Sequence, residues 1–334
     1  MGLALRNVSL PLEALRYDVT PVGLHYTLSH FDIPRRDEGN FRLKIGAREI
    51  SLAELKAMPQ QTLRVTLECA GNGRAGFAPR YPSMPWTHGG VGTADWTGVP
   101  LHLLLKNLPI ERTKEIAFLG ADSGFDSGVE HHFGRSLSIQ DALRPEVLLA
   151  WAMNGEPLAP QHGAPLRLVV PGWFGMASVK WLERIELLDR PFEGYQQVVG
   201  YRYTKQRGEA GTPVRHARVK SLMSPPGIPD WYTGRRLVSQ GATEVQGRAW
   251  SGNGVAITRV ELGVDGEWRP AELEASGERF AWRRWRARWD AAPGEHELAC
   301  SAADETGAIQ PLAPDWNVGG MGNNAVQRVR VSVR

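Results

Sequence analysis

The sequence predicts an α+β protein with most of its regular structure in sheets and a β-sandwich at its C-terminal end. Three observations carry this reading. Helix signals are few and short, apolar runs of strand length recur between them, and beyond residue 236 the hydrophobic pattern settles to a period of two. A chain of 334 residues exceeds one ordinary core and divides into two domains of roughly 100–200 residues each. We place them at 1–212 and 213–334.

Each element has a local cause. Residues 1–40 read as loop, punctuated by Pro11, Pro21 and Pro34. Ser51 and Glu54 form a capping box that opens a short helix ending before Pro59. Pro100 suits the first turn of a second helix reaching about Asn107, and a third covers roughly 138–143. Strand candidates lie at 63–68, 115–119, 147–153, 166–170 and 185–188. Over 203–236 the composition shifts to Gly, Pro and charge, which reads as the crossing between domains. Beyond it Val260, Leu262 and Val264 alternate with Arg259, Glu261 and Gly263, and Asp265-Gly266 is a strong hairpin turn. Trp285, Ala287 and Trp289 alternate with Arg284, Arg286 and Arg288, and Val329, Val331 and Val333 with Arg330, Ser332 and Arg334. Several short strands in succession indicate a sandwich. The arginine row faces solvent or a partner.

Composition excludes several classes. With 42% hydrophobic and 22% charged residues the chain is an ordinary globular one. A net charge of +3, with scattered basic residues, argues for neither nucleic acid nor a membrane surface. No apolar run approaches the ~20 residues that span a bilayer. The stretch Met1 to Leu10 lacks both a secretory leader pattern and paired arginines. Taken as the encoded start it implies a cytoplasmic protein, or a periplasmic one if a leader has been trimmed.

The chemistry concentrates at a cysteine. Two cysteines make no disulfide framework, and Cys300 reads as a buried β-core residue in the other domain from Cys69. Cys69 follows the strand at 63–68 and opens the loop Cys69-Ala70-Gly71-Asn72-Gly73-Arg74. Gly71 and Gly73 permit positive φ and close approach to a bound group. Arg74 adds a fixed positive charge that favours the thiolate and attracts an anion. Such a thiolate suits a nucleophile or a soft-metal ligand; a small buried hydrophobe is the other use of a lone cysteine.

That loop, followed by Trp86-Thr87-His88-Gly89-Gly90-Val91 and Thr93-Ala94-Asp95-Trp96, resembles the molybdenum-binding stretch of the sulfite oxidase family. Further segments match in the same order: Ala121-Asp122-Ser123, Leu149 to Gly155, His162 to Gly172, Ser178-Val179-Lys180-Trp181-Leu182, and Trp316 to Ala325. The resemblance covers about residues 17–330. It implies a sulfite-oxidase-type molybdopterin-binding domain followed by an immunoglobulin-like domain that mediates homodimerisation. It also implies a molybdenum–molybdopterin cofactor, with Cys69 as metal ligand. Cofactor contacts would come from Tyr26, His30, Asp122, His162, Arg167, Ser178 and Lys180. Arg74, Trp86 and a tyrosine, Tyr201 with Tyr203 as the other candidate, would face the substrate. The expected reaction is two-electron oxygen-atom transfer, nominally from sulfite to sulfate. No Cys-x-x-Cys-His haem motif occurs, so a separate electron carrier such as a cytochrome is expected.

Two departures bear on the substrate, a small oxyanion or oxo compound. Leu28 and Gly319 stand where the family places pocket arginines. Their loss would weaken sulfite binding by roughly 3–6 kcal/mol if additive, or ~10²–10⁴-fold. Arg35, Arg36, Arg80, His88, His131 and His132 are candidates to compensate. The alternative substrate is another small oxo compound, such as a sulfoxide that is reduced. Outside the family, the residues also permit a cysteine hydrolase using Cys69 with His88 or His162, or a non-catalytic scaffold.

Overall fold

The computed structural model describes residues 6–106, 108–275 and 277–334. The capping box forms as expected: Ser51 Oγ accepts from the Glu54 amide, Glu54 accepts from the Ser51 amide, and the helix Leu52–Ala57 follows. The second helix runs Leu101–Leu105; its expected end at Asn107 lies outside the described residues, as does the stretch 1–5 of the expected N-terminal loop. The third is Ile139–Ala142, capped by Ser138. Among the described residues no helix is long and apolar enough to cross a membrane.

The N-terminal part is built on two sheets. One orders Arg48–Ser51, Arg42–Ile45, Leu182–Leu188, Glu115–Asp126 and Val129–Ser138, antiparallel except where Arg42–Ile45 pairs with Leu182–Leu188. The other orders Gln61–Glu68, Val91–Pro100, Leu148–Met153 and Glu156–Pro157, with Arg167–Val169 also on Leu148–Met153. Leu43, Phe118, Leu149 and Leu168 join the two sheets in one core. The second sheet buries its other face too, through Val65, Trp96 and Val169. A strand covered on both sides shows no alternation, which is why Val91–Pro100 gave no period-two signal.

The C-terminal part is a sandwich of a four-stranded and a six-stranded sheet around Trp285, Trp289, Cys300 and Val331. Asp265 and Gly266, at φ 51° and 92°, turn Ile257–Val264 into Glu267–Pro270, the double positive φ of a type I′ hairpin. Arg286 and Arg288 are exposed, whereas Arg284 Nη2 turns to Asp18 at 3.0 Å.

One expectation needs correcting. The stretch 203–236 is not a crossing throughout, because Lys220–Ser224 is already a sandwich strand paired with Gly241–Trp250. Its first four residues are all buried, since the short 3-10 turn Leu12–Arg16 packs on its outer side. Leu10, Leu15, Leu222, Trp250 and Trp282 form a cluster shared by the two parts.

Candidate active site

A cavity opens where the second sheet's strand ends meet the segment 25–30. Cys69 lines it directly after the strand Gln61–Glu68 ends. Its amide donates to Gly90 O at 2.8 Å and its carbonyl accepts from Asn72 N at 2.9 Å, fixing a tight turn. Gly73 has φ 87°, as a left-handed turn requires, but Gly71 does not; a Cβ there would stand 2.7 Å from Arg74 Nη2. Gly71 is therefore small so that the guanidinium can fold back over the loop. Arg74 Nε donates to Gly319 O and Gly320 O, both at 3.2 Å, and Nη1 to Met84 O at 3.2 Å. From the sequence, Arg74 is expected to favour the thiolate. Instead burial pushes the Cys69 thiol up, with Arg74 opposing in second place.

Most of the remaining site residues meet around this cavity. Lys180 Nζ donates to Leu28 O at 2.8 Å, Gln161 O at 3.0 Å and Ser29 Oγ at 3.2 Å. Arg167 donates to His162 O and Ser178 O, both at 3.0 Å, and its guanidinium lies 4.6 Å from the Trp96 ring. Ser178 Oγ accepts from Val170 N at 3.0 Å. Tyr26, His30, Asp122, His162 and Tyr201 also line the wall. His30 Nε2 and the Tyr201 hydroxyl are 2.8 Å apart. Of the two tyrosine candidates, Tyr203 is turned away, under the Arg218 guanidinium at 4.6 Å.

Burial dominates the electrostatics. It lowers His25 and His30 to about 4, His162 to about 3 and Lys180 to about 7, and raises Asp122 to about 7. Asp122 Oδ1, His25 Nε2 and His162 Nε2 are buried with no partner in the protein. Buried polar atoms are ordinarily paired, so these suit a ligand with donors and acceptors of its own, flanked by the cations of Arg167 and Lys180.

Arg74 and Trp86 do not line the cavity. Trp86 stands behind Tyr26, edge-on at 6.3 Å, with its Nε1 buried and unpartnered. None of the proposed compensating cations reaches the wall. Arg36 pairs with Glu183 at 2.5 Å, His131 stacks on Tyr195 at 4.5 Å, and His132 Nδ1 lies 3.3 Å from Gly120 O. Sequence reasoning missed His25, which lines the cavity edge-on to His162 at 5.5 Å. Its adjacency to Tyr26 is the one signal that pointed there. It also missed Arg135, buried with its guanidinium 5.5 Å from the Tyr201 ring. A hydrolase pair is disfavoured, because burial pushes the thiol up and the imidazoles of His88 and His162 down, the reverse of a thiolate–imidazolium couple.

Comparison with known proteins bears on this site. A family model described as "Oxidoreductase molybdopterin binding domain" matches residues 30–196, and one described as "Mo-co oxidoreductase dimerisation domain" matches 232–334. The chain is 31% identical to the mitochondrial sulfite oxidase of Homo sapiens over 98% of its own length, and spans 64% of that relative. It is 31% identical to the sulfite oxidase of Gallus gallus, covering 96% of this chain and 75% of the other. The crystal structure of the sulfane dehydrogenase SoxCD from Paracoccus pantotrophus superposes with a TM-score of 0.82 at 28% identity, over 97% of this chain and 85% of that one.

Proposed function

The chain belongs to the sulfite oxidase family of molybdopterin-binding oxidoreductases, and from that premise we propose a two-electron oxygen-atom transfer enzyme with Cys69 as its metal ligand. The nominal reaction takes sulfite and water to sulfate, two protons and two electrons, the electrons leaving to a separate carrier. The observation that carries this is the Cys69 side chain beside unpartnered Asp122 Oδ1, His25 Nε2 and His162 Nε2 in one cavity. Those atoms suit the pterin, and Arg167 and Lys180 suit its phosphate. Two copies associate through the second domain.

When bound, the molybdenum cofactor supplies the redox change and the oxo exchange. The chain's own groups hold, orient and control protons. Burial keeps the Cys69 thiol protonated, so loss of its proton is coupled to metal binding. Burial also keeps the His30 imidazole neutral and the Tyr201 phenol protonated. Tyr201 can therefore donate to His30 Nε2 and hold a proton at the cavity edge. Arg135 lies behind the Tyr201 ring, where its charge opposes burial and eases release of the phenol proton.

The lining favours a second substrate reading beside sulfite. Leu28 lies on the wall, and Gly319 contributes only its carbonyl, to Arg74. Among the described residues the wall's Lys and Arg side chains are Arg167 and Lys180, both suited to the cofactor. A site so short of free cations favours a less charged oxo substrate. The name sulfane dehydrogenase on a solved relative supports variation in substrate on this frame. Elemental analysis and a steady-state assay with sulfite and ferricyanide test both readings. One molybdenum per chain with turnover far above a Cys69→Ser protein is expected for sulfite. Metal without such turnover selects the other substrate, and no metal ends the proposal.

A further inference from the structure

The Cys69 loop is held from outside its own domain. Glu68, the residue before Cys69, is 3% exposed, and both its carboxylate oxygens are occupied. Lys220 Nζ donates to Oε1 at 2.8 Å, Asn72 Nδ2 to the same oxygen at 3.0 Å, and Trp250 Nε1 to Oε2 at 3.0 Å. Lys220 and Trp250 are direct partners on neighbouring sandwich strands, so one ladder presents two donors to a single carboxylate. Lys220, 1% exposed, also donates to Asn323 O at 2.7 Å. Asn323 Nδ2 in turn donates to Gly73 O at 2.7 Å, and the Gly322 amide to Ala70 O at 2.7 Å. With the two bonds from Arg74 to Gly319 and Gly320, the segment 319–323 grips the loop along its length. The fit is close: a Cβ on Gly320, at φ 57°, would stand 2.8 Å from Arg74 Cγ.

We propose that Lys220 and the segment 319–323 are positioning elements for the Cys69 sulfur, acting through Glu68 and the loop backbone. The second domain is then part of the metal site as well as a surface for association. This rests on the reading of Cys69 as metal ligand and deepens it. The first domain holds the start of the loop through Gly90, whose carbonyl accepts from Cys69 N at 2.8 Å and whose amide donates to Asn72 Oδ1 at 3.0 Å. Within the loop Asn72 N reaches Cys69 O at 2.9 Å and Arg74 N reaches Gly71 O at 3.0 Å, and two of its residues are glycines, which lose the most freedom on ordering. These bonds fix the backbone of the turn, and the buried Glu68–Lys220 pair and the segment 319–323 add the restraint that directs the sulfur. Removing one partner leaves the other charge buried and unpaired, whereas exchanging both for neutral groups does not.

The test uses the full-length chain. Amide exchange is followed in cofactor-free protein for peptides 69–76 and 61–67. Molybdenum per chain and the visible absorption of the oxidised protein are read after expression in a cofactor-competent host. In Lys220→Met, residues 69–76 are expected to exchange about tenfold faster while 61–67 stay protected, with lower molybdenum and a shifted absorption band. The double variant Glu68→Gln/Lys220→Gln removes both charges together but exchanges one Glu68 acceptor for an amide donor, so it is expected to recover both readings in part. A folded Lys220→Met protein with wild-type exchange, metal and absorption overturns the proposal. Should Lys220→Met not fold, Asn323→Ala takes its place, because it removes the bond to Gly73 without stranding a charge. Wild-type protein without molybdenum would sink the functional reading; the exchange results would then still decide whether the sandwich holds the loop.

Discussion

Burial moves the groups around Cys69 away from their ordinary ionisation, and it does so in both directions. The imidazoles of His25, His30 and His162, at about 4, 4 and 3, refuse protons that the unfolded chain accepts near 6.5. Between those values the unfolded state binds more protons, so stability falls as pH drops through that window. Asp122, raised to about 7, opposes the trend, since folding favours its protonated form. His88, also held at about 4 by burial, makes four imidazoles against one carboxyl, and the net sign rests with histidine. We expect the denaturant midpoint of cofactor-free protein to fall from pH 6.5 to pH 4.5. The substitution His162→Gln should flatten that slope by up to ~1.4 kcal/mol per pH unit. An unchanged slope would mean that His162 takes up its proton in the folded state. The same balance explains the misjudged thiol. Arg74 at position +5 is visible in the sequence; the apolar enclosure that outweighs it is not.

Turns and strand ends decide which side chains reach the cavity, and two glycines separate frame from site. Gly92 lies on Val91–Pro100, and a Cβ there would stand 2.5 Å from His25 Cδ2. Gly92→Ala must push that ring aside, at a cost of about 1–3 kcal/mol. It is expected to fold but to retain less molybdenum, as elemental analysis would show; full metal content would remove His25 from the binding set. Gly266, at φ 92° in the far hairpin of the sandwich, meets nothing within 4 Å. Gly266→Ala should lower stability by about 1–2 kcal/mol through backbone strain and leave metal content untouched. A metal loss there would mean that general destabilisation alone empties the site. These elements were legible to different degrees. The capping box at Ser51, the Asp265-Gly266 turn and the alternating sandwich strands carry local chemistry, so residues a few positions apart revealed them. Val91–Pro100 and Lys220–Ser224 are covered on both faces and carry no alternation to read. His25 and His162 meet only through the fold, and no local pattern connects them.

The two parts of the chain share buried structure, which sets how the whole molecule unfolds. Leu10, Leu15 and Val91 pack with Leu222, Trp250 and Trp282. Thr66 N donates to Phe280 O at 2.9 Å, Trp282 N to Thr66 Oγ1 at 2.7 Å, and the Glu68–Lys220 pair closes the same seam. Interfaces between loosely tethered domains are more polar and permit separate motion. This one combines an apolar cluster with a fully buried ion pair, and opening it would expose that apolar cluster to water. Calorimetry of the full chain should therefore give a single transition, with a calorimetric enthalpy matching the van't Hoff value. Two resolved transitions would contradict a shared core and weaken the case that the sandwich positions the Cys69 loop. Association adds a further constraint. The match to the dimerisation domain begins at residue 232, beside Trp231 and Tyr232, which are 95% and 97% exposed in the single chain. Light scattering is expected to give about twice 36.9 kDa. Because subunit association stabilises by mass action, the transition temperature should also rise with protein concentration. A monomeric mass with a concentration-independent transition would remove dimerisation while leaving the buried seam, and the loop it holds, as they are.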